Sequence, residues 1–275
     1  MQIAAKQSAL RKTRNKAVQK ELLDKAEIII LAGITEDEMK ILIANDDGIQ
    51  ASGVLALAKW ARKLGEVVVA APRHEQSGKS QGIELHKAFE VKKQELAPGI
   101  IGYSVDSTPA DCVRYALIGL GEHFDLVLSG INRGLNIGPD IMYSGTAGAA
   151  FEAAYRGINT LAVSTKAYYY DEAVAHMDEI YDYIMRNDLF ALNNLYNINI
   201  PKDPKGIRIT RQGRFRYSDV IHVLENDMVA VPLGERLYDG NEDNGFDIDA
   251  MLHSEISITP LTLERTDMNV FRKLV

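Results

Sequence analysis

The chain has 275 residues, with 31 Lys/Arg against 38 Asp/Glu (net charge −7), 46% hydrophobic and 25% charged residues. That is enough ordinary globular sequence to bury a proper core as one large domain or two modest ones. No apolar run approaches the roughly 18 residues of a membrane span, and an acidic body argues against stable nucleic-acid binding while leaving room for a small phosphorylated substrate.

Residues 1–25 hold seven Lys/Arg against Glu21 and Asp24, a local balance of +5 that leaves −12 for the rest. The segment lacks the apolar stretch and cleavage site of a signal peptide. Residues 1–38 therefore read as a solvated, partly helical extension, with Met39 as an alternative start. From Met39 the pattern becomes that of alternating elements. Lys40–Asn45 is a short apolar strand, SGVLALAKWARKL (52–64) has helical spacing stopped by Gly65, and EVVVAA (66–71) is a buried strand. Together they form a βαβ unit. Thr108-Pro109 opens a helix that carries the single cysteine. Cys112, in ADCVRYALIGL, reads as core packing, and its solitude makes a reducing compartment the default. Strand FDLVL (124–128), the loop SGINRGLNIGPDIMYSG (129–145), helix 146–156, strand INTLAVS (158–164) and a largely helical stretch 171–195 follow. Beyond residue 195 the texture is strand-rich: YNINIP, IRITRQ, HVLEN, MVAVPL, EISITPL. The prediction is a doubly wound α/β core over 39–195, with a smaller β-rich segment over 196–275.

In an open parallel sheet ligands bind beyond the carboxyl ends of the strands. Three loops answer that description: NDDG after the first strand, APRHEQSGKS (71–80) after the second, and the long loop after FDLVL. They offer Asp46, Asp47, Ser77 and Asn132. Taken singly, adjacent aspartates before glycine are more often a turn than a site. Taken together, two carboxylates and two neutral oxygens suit Mg²⁺ or Mn²⁺ rather than zinc. Ser144, Gly145 and Thr146 open a small-residue helix, TAGAAFEAA, whose first N–H groups and hydroxyls can bind phosphate. The six histidines are scattered without paired-ligand spacing, and neither GxxxxGK[ST] nor GxGxxG after the first strand is present.

ILIANDDGIQASG, VVVAAPRHEQSG, STPADC, FDLVLSGINRGLNIGPDIMYSGTAGAAFEAA and ISITPL together resemble the SurE family of metal-dependent nucleoside monophosphate phosphatases, over about residues 39–265. The resemblance implies a Rossmann-like three-layer core with a mainly parallel sheet and a cytoplasmic location. It also implies a homodimer or homotetramer built by exchanging C-terminal segments. One divalent cation per subunit is implied on Asp46, Asp47, Ser77 and Asn132. Either aspartate would orient the attacking water, and Asn45, Asn136, Ser144, Gly145 and Thr146 would face substrate. Ser107, Ala147 and Ser254-Glu255 depart from the family pattern, away from those four ligands. Two other classes compete: a nucleotide-sugar or dinucleotide-dependent transferase on the same fold, which would need a glycine fingerprint, and a non-catalytic binding module in which the aspartates only cap and turn.

Overall fold

The computed structural model describes residues 38–218, 220–223, 230–233, 236–237 and 243–275. Of the extension expected over 1–38, residues 1–37 lie outside the described residues, as do parts of HVLEN, MVAVPL and the polar loop near residue 240. In chain order the elements are β1 (Met39–Ala44), α1 (Ser52–Ala61), β2 (Gly65–Pro72), β3 (Val91–Ala97), β4 (Ile100–Val105) and α2 (Pro109–Arg114), which runs on as one π-helical turn. Then come β5 (Leu126–Arg133), α3 (Asp140–Tyr143), α4 (Gly145–Tyr155), β6 (Asn159–Thr165), α5 (Tyr170–Arg186), α6 (Leu189–Leu192) and β7 (Leu195–Ile200). The last part holds β8 (Ile207–Ile209), β9 (Arg216–Tyr217), β10 (Val220–Val223), β11 (Ala230–Leu233), β12 (Arg236–Leu237), α7 (Asp247–Leu252), β13 (Ile256–Pro260) and α8 (Met268–Leu274).

β1 sets the architecture because its side chains alternate between two cores. Ile41 and Ile43 pack with Val54 and Leu57 of α1 and Met177 and Ile180 of α5, whereas Leu42 and Ala44 pack with Cys112 of α2 and Ala149 and Ala153 of α4. One sheet between two helical layers is the result. The strand order is β3-β4-β2-β1-β5-β6-β7-β13-β8. β1 pairs in parallel with both β2 and β5, and the antiparallel pairings are β3 with β4 and β13 with β7. From β1 the chain builds outward through β2 and β4, then returns to the other side of β1 with β5. The switch point therefore lies between β1 and β5, where open sheets of this kind bind ligands.

Two expectations shift. The loop predicted from residue 129 is, through Arg133, a continuation of β5. Asn132 and Arg133 pair with Ser164 and Thr165 of β6 across an irregularity in register, so glycine at 130 misled the loop reading. The stretch 171–195 is broken by Asp188 in the left-handed region (φ 51°), and Leu195 already belongs to β7. Of the strand-rich segment, β7, β13 and β8 join the main sheet, while β10–β11 and β9–β12 form separate two-stranded pieces.

The turn between β1 and α1, residues 45–51, is held by main-chain contacts. The Ile49 amide donates to the Pro72 carbonyl at 2.8 Å, and the Gln76 amide to the Asp46 carbonyl at 2.7 Å. On the opposite flank, α4 approaches closely because two of its residues are glycines. A Cβ on Gly145 would lie 2.7 Å from Asp46 Cβ, and one on Gly148 only 2.0 Å from the Ser80 carbonyl oxygen. Small residues here are a packing requirement of the rim.

Residues 39–275 form one compact unit, and we propose that this unit is self-sufficient. A chain begun at Met39 is expected to unfold cooperatively with a thermal midpoint within a few degrees of the full chain's. An aggregated or non-cooperative product would show that residues 1–38 belong to the fold.

Candidate active site

Asn45, Asp46 and Asp47 follow β1 at the switch point, and the two carboxylates face different partners. Asp46 is 3% exposed. Its Oδ1 accepts a hydrogen bond from the Thr146 hydroxyl on the first turn of α4, and Gly145 lies against its side chain. Asp47 is half-buried and turns to the other side, where its Oδ2 accepts the Arg133 amide of β5 at 2.9 Å. Burial first, and then the neighbouring Asp47 charge, push the Asp46 carboxyl from its ordinary 3.8 up to about 6, against the opposing pull of the Thr146 bond. Asp47 is also raised, by burial first, with the Arg133 amide and guanidinium pulling it back. Two carboxyls disfavoured as anions in one rim make it a candidate for cation binding.

Asn45 makes the same point differently. It is fully buried, and neither its Oδ1 nor its Nδ2 has a hydrogen-bond partner among the described residues. Such an orphaned amide costs about 1–3 kcal/mol unless something satisfies it.

The loop after β2 brings Ser77 and Glu75 to this rim. Ser77 is exposed, and its hydroxyl donates to Glu75 Oε1 at 2.8 Å. The other oxygen, Glu75 Oε2, accepts Nη2 of Arg133 at 2.7 Å. Asn132 precedes Arg133 on β5. Its Nδ2 donates to the Gly134 carbonyl at 2.8 Å, which leaves Oδ1 as its free end. Among the described residues no three His, Cys, Asp or Glu side chains cluster as a metal site. What the rim offers is a pair of carboxylates with neutral oxygens from Ser77 and Asn132. The set fits a hard divalent cation in donor chemistry: all its donors are oxygens, and giving its proton to Glu75 leaves the Ser77 oxygen with lone pairs to offer.

The residues expected to face substrate divide. Ser144 is the N-cap of α4, its Oγ accepting the Ala147 amide at 3.0 Å. Thr146 is fully buried, with its hydroxyl committed to Asp46. Asn136 lies in a buried polar cluster: its amide and carbonyl are clamped by both ends of the Asn199 side chain, Asn197 donates to the same carbonyl at 2.8 Å, and its own Nδ2 donates to Ser164 at 3.0 Å. Its place is thus that of an anchor for the loop after β5. Beside Ser144 a cavity of about 790 Å³ runs along α4, bordered by Ser80, Gln81, Met142, Phe151 and Arg265. His74 is exposed, and Cys112 is fully buried with its thiol pushed well above the ordinary range, as core packing requires. Glu75 and Arg133 escaped the sequence reading. Both stand in the loops singled out above, but isolated surface charges carry no periodic signal.

An α/β sheet with an acidic, oxygen-lined crevice at its switch point defines the architecture of a ligand-binding hydrolase or transferase rather than of a structural module. Comparison with known proteins narrows the class. The family model described as "Survival protein SurE" matches residues 41–219. A protein named 5'-nucleotidase SurE from Desulforudis audaxviator is 38% identical, with 83% of this chain and 93% of that protein covered. Its namesake from Legionella pneumophila is 37% identical, with 86% and 96% covered. The crystal structure of the SurE protein from Aquifex aeolicus superposes with a TM-score of 0.70 at 30% identity, covering 86% of this chain and 98% of that one. This chain belongs to the SurE family. Among the described residues no helix is long and apolar enough to cross a membrane.

The Asp46 environment has a measurable consequence. A carboxyl that titrates near 6 when folded and near its ordinary 3.8 when unfolded binds more protons in the folded state between those values. The contribution of this group to metal-free stability should therefore be larger at pH 4 than at pH 7, falling by about 3 kcal/mol as pH rises through that window, whatever the other carboxylates add. Asp46→Asn is expected to flatten that slope and to raise metal-free stability at pH 7. Urea melts in chelator across the range would show it, and an unchanged slope would rule out a strained carboxylate.

Proposed function

We propose that the chain is a phosphomonoesterase that hydrolyses nucleoside 5'-monophosphates, with 3'-monophosphates as a second substrate group, to nucleoside and phosphate. The observation that carries the reading is the Asp46–Asp47 pair at the switch point, one carboxylate bound to Thr146 of α4 and the other to the Arg133 amide of β5, directly after the buried amide of Asn45, which has no partner among the described residues. The 5'-nucleotidase name of its relatives supports the substrate class. The missing glycine fingerprint weighs against a dinucleotide-dependent transferase.

In this reading Asp46, Asp47, Ser77 and Asn132 hold one divalent cation, Mg²⁺ or Mn²⁺, which when bound supplies Lewis-acid polarisation and a lowered pKa for water. The chain's own residues do the rest. Thr146 fixes the rotamer of Asp46, the Arg133 amide fixes that of Asp47, and either carboxylate accepts a proton from an attacking water. Gly145 lets the start of α4 come against the reacting phosphate, so that its first N–H groups face the charge that develops in transfer. Asn45 supplies a buried amide that substrate oxygen can satisfy, and the cavity beside Ser144 has room for a nucleoside. Asp46→Asn and Asp47→Asn are each expected to lower turnover at least about a hundredfold, assayed against a nucleoside monophosphate across a Mn²⁺ titration. Near-normal turnover of both at modest Mn²⁺ would remove the metal site and the phosphatase reading with it.

We further propose a cytoplasmic homodimer or homotetramer built through C-terminal segments, a reading that the family resemblance supports. α8 supports the assembly: it has no buried residue, yet it carries Met268, Val270, Phe271 and Leu274 at 38–78% exposure. An apolar helix left uncovered in one protomer is a liability that a second protomer removes. Sedimentation at micromolar concentration should give a dimer or tetramer that dissociates when Phe271 and Leu274 are changed to Ser; a monomeric parent chain would refute it.

A further inference from the structure

Arg133 stands at the mouth of the crevice with most of its fork uncommitted. Its backbone is fixed twice, by the β5–β6 ladder and by the bond from its amide to Asp47. Its side chain is 43% exposed, and one nitrogen, Nη2, is held by Glu75. Nε and Nη1 have no acceptor among the described residues. The neighbouring cation, Arg73, is by contrast spent on Glu90 and Asp106, at 2.6 and 3.2 Å.

Stability does not account for this arrangement. An exposed ion pair contributes between nothing and about 1 kcal/mol. What the pair does achieve is orientation. Glu75 draws one arm of the guanidinium across the rim and leaves the other donors directed by the planar geometry of the fork, which suits the paired oxygens of a phosphate. Charge leads to the same place. Asp46, Asp47 and Glu75 bring three negative charges to a rim that must receive a phosphomonoester dianion, and Arg133 is the cation that acts on Asp47. A divalent cation alone would leave that rim net negative.

We propose that Arg133 is a substrate-binding residue that donates from Nε and Nη1 to the phosphate oxygens, on the flank of the aspartate pair opposite the start of α4, and that Glu75 is its positioning residue. The inference rests on the phosphomonoesterase reading and deepens it, because it assigns recognition of the dianion to a side chain outside the four metal donors. Contact with phosphate, rather than with base or ribose, is what the position beside Asp47 implies.

The test uses the full chain with Arg133→Gln, Arg133→Lys and Glu75→Gln. KM is measured for adenosine monophosphate and for p-nitrophenyl phosphate, with inhibition by inorganic phosphate, Mn²⁺ affinity by calorimetry, and thermal midpoint. Arg133→Gln is expected to raise both KM values and the phosphate inhibition constant at least about tenfold, with Mn²⁺ affinity and thermal midpoint little changed. Arg133→Lys should recover part of the loss, because it restores charge without the fork. Glu75→Gln should move the same constants in the same direction by less. Unchanged KM and phosphate inhibition in Arg133→Gln would overturn the proposal, and so would a rise confined to adenosine monophosphate, which would place the contact on the nucleoside. If the parent chain hydrolyses neither ester, the phosphatase reading fails on its own, while phosphate binding measured directly in parent and Arg133→Gln still decides whether the arginine holds the anion.

Discussion

Two carboxylates placed side by side in a largely buried rim repel each other and lack water, and the surrounding structure is arranged around that cost. Asp46 turns toward α4 and takes the Thr146 hydroxyl; Asp47 turns toward β5 and takes the Arg133 amide. The divergence works because the residues lie just past the end of β1, where strand alternation gives way to a turn held by the Gln76 and Ile49 amides. Glycines in α4 follow from the same constraint, since a larger residue at 145 would displace Asp46 itself. So does the placement of the crevice, because β1 has parallel neighbours on both sides, β2 on one and β5 on the other, and the order of the sheet reverses there.

Much of this could be read in the sequence, and the reasons are specific. β1 and β2 are continuous apolar runs, as strands covered on both faces must be, and α1 has unbroken helical spacing that ends at a glycine. The strand ends that carry the candidate donors could be placed because such runs make strand ends in parallel sheets predictable. β5 was read too short because Gly130 and Gly134 look like loop, although the ladder to β6 resumes between them. The membership of β8 and β13 in the main sheet was not legible either. A strand's sequence carries its faces but not the identity of its lateral partner. Ser144 and Asn136 show a different limit. Their residue types fit phosphate binding, but the structure has Ser144 capping α4 and Asn136 clamped between Asn197, Asn199 and Ser164. Polar residues near a site often hold the frame rather than the ligand, and only the hydrogen-bond partners tell the two apart.

The frame around Asn136 also explains how a crevice built from loops can stay ordered. Asn199 presents both ends of its amide to one backbone unit, as a neighbouring strand would, and so extends the β7 ladder sideways into the loop after β5. Asp247 does the same for Gly138 and Gly213, accepting their amides at 2.7 and 2.9 Å although it is fully buried. Buried polar groups that are fully partnered specify one arrangement and penalise the alternatives. Asn45, whose amide has neither end partnered among the described residues, is next in sequence to the aspartates, where a satisfied amide would have nothing left to offer a ligand.

The separation in sequence of the parts that meet at the crevice also has a consequence in time. Asp46 and Thr146 are 100 residues apart, and Asp47 and Arg133 are 86 apart. At a synthesis rate of roughly 5–20 residues per second, the acidic pair waits on the order of 5–20 s for its partners to leave the ribosome. During that interval β1 and β2 present apolar edges without β5, and no ligand can be clamped from both sides. Assembly of the rim is therefore one of the late, non-local events of folding, and a topology of this kind is slow for the same reason. A nascent chain would commit to its sheet before it could select its ligand.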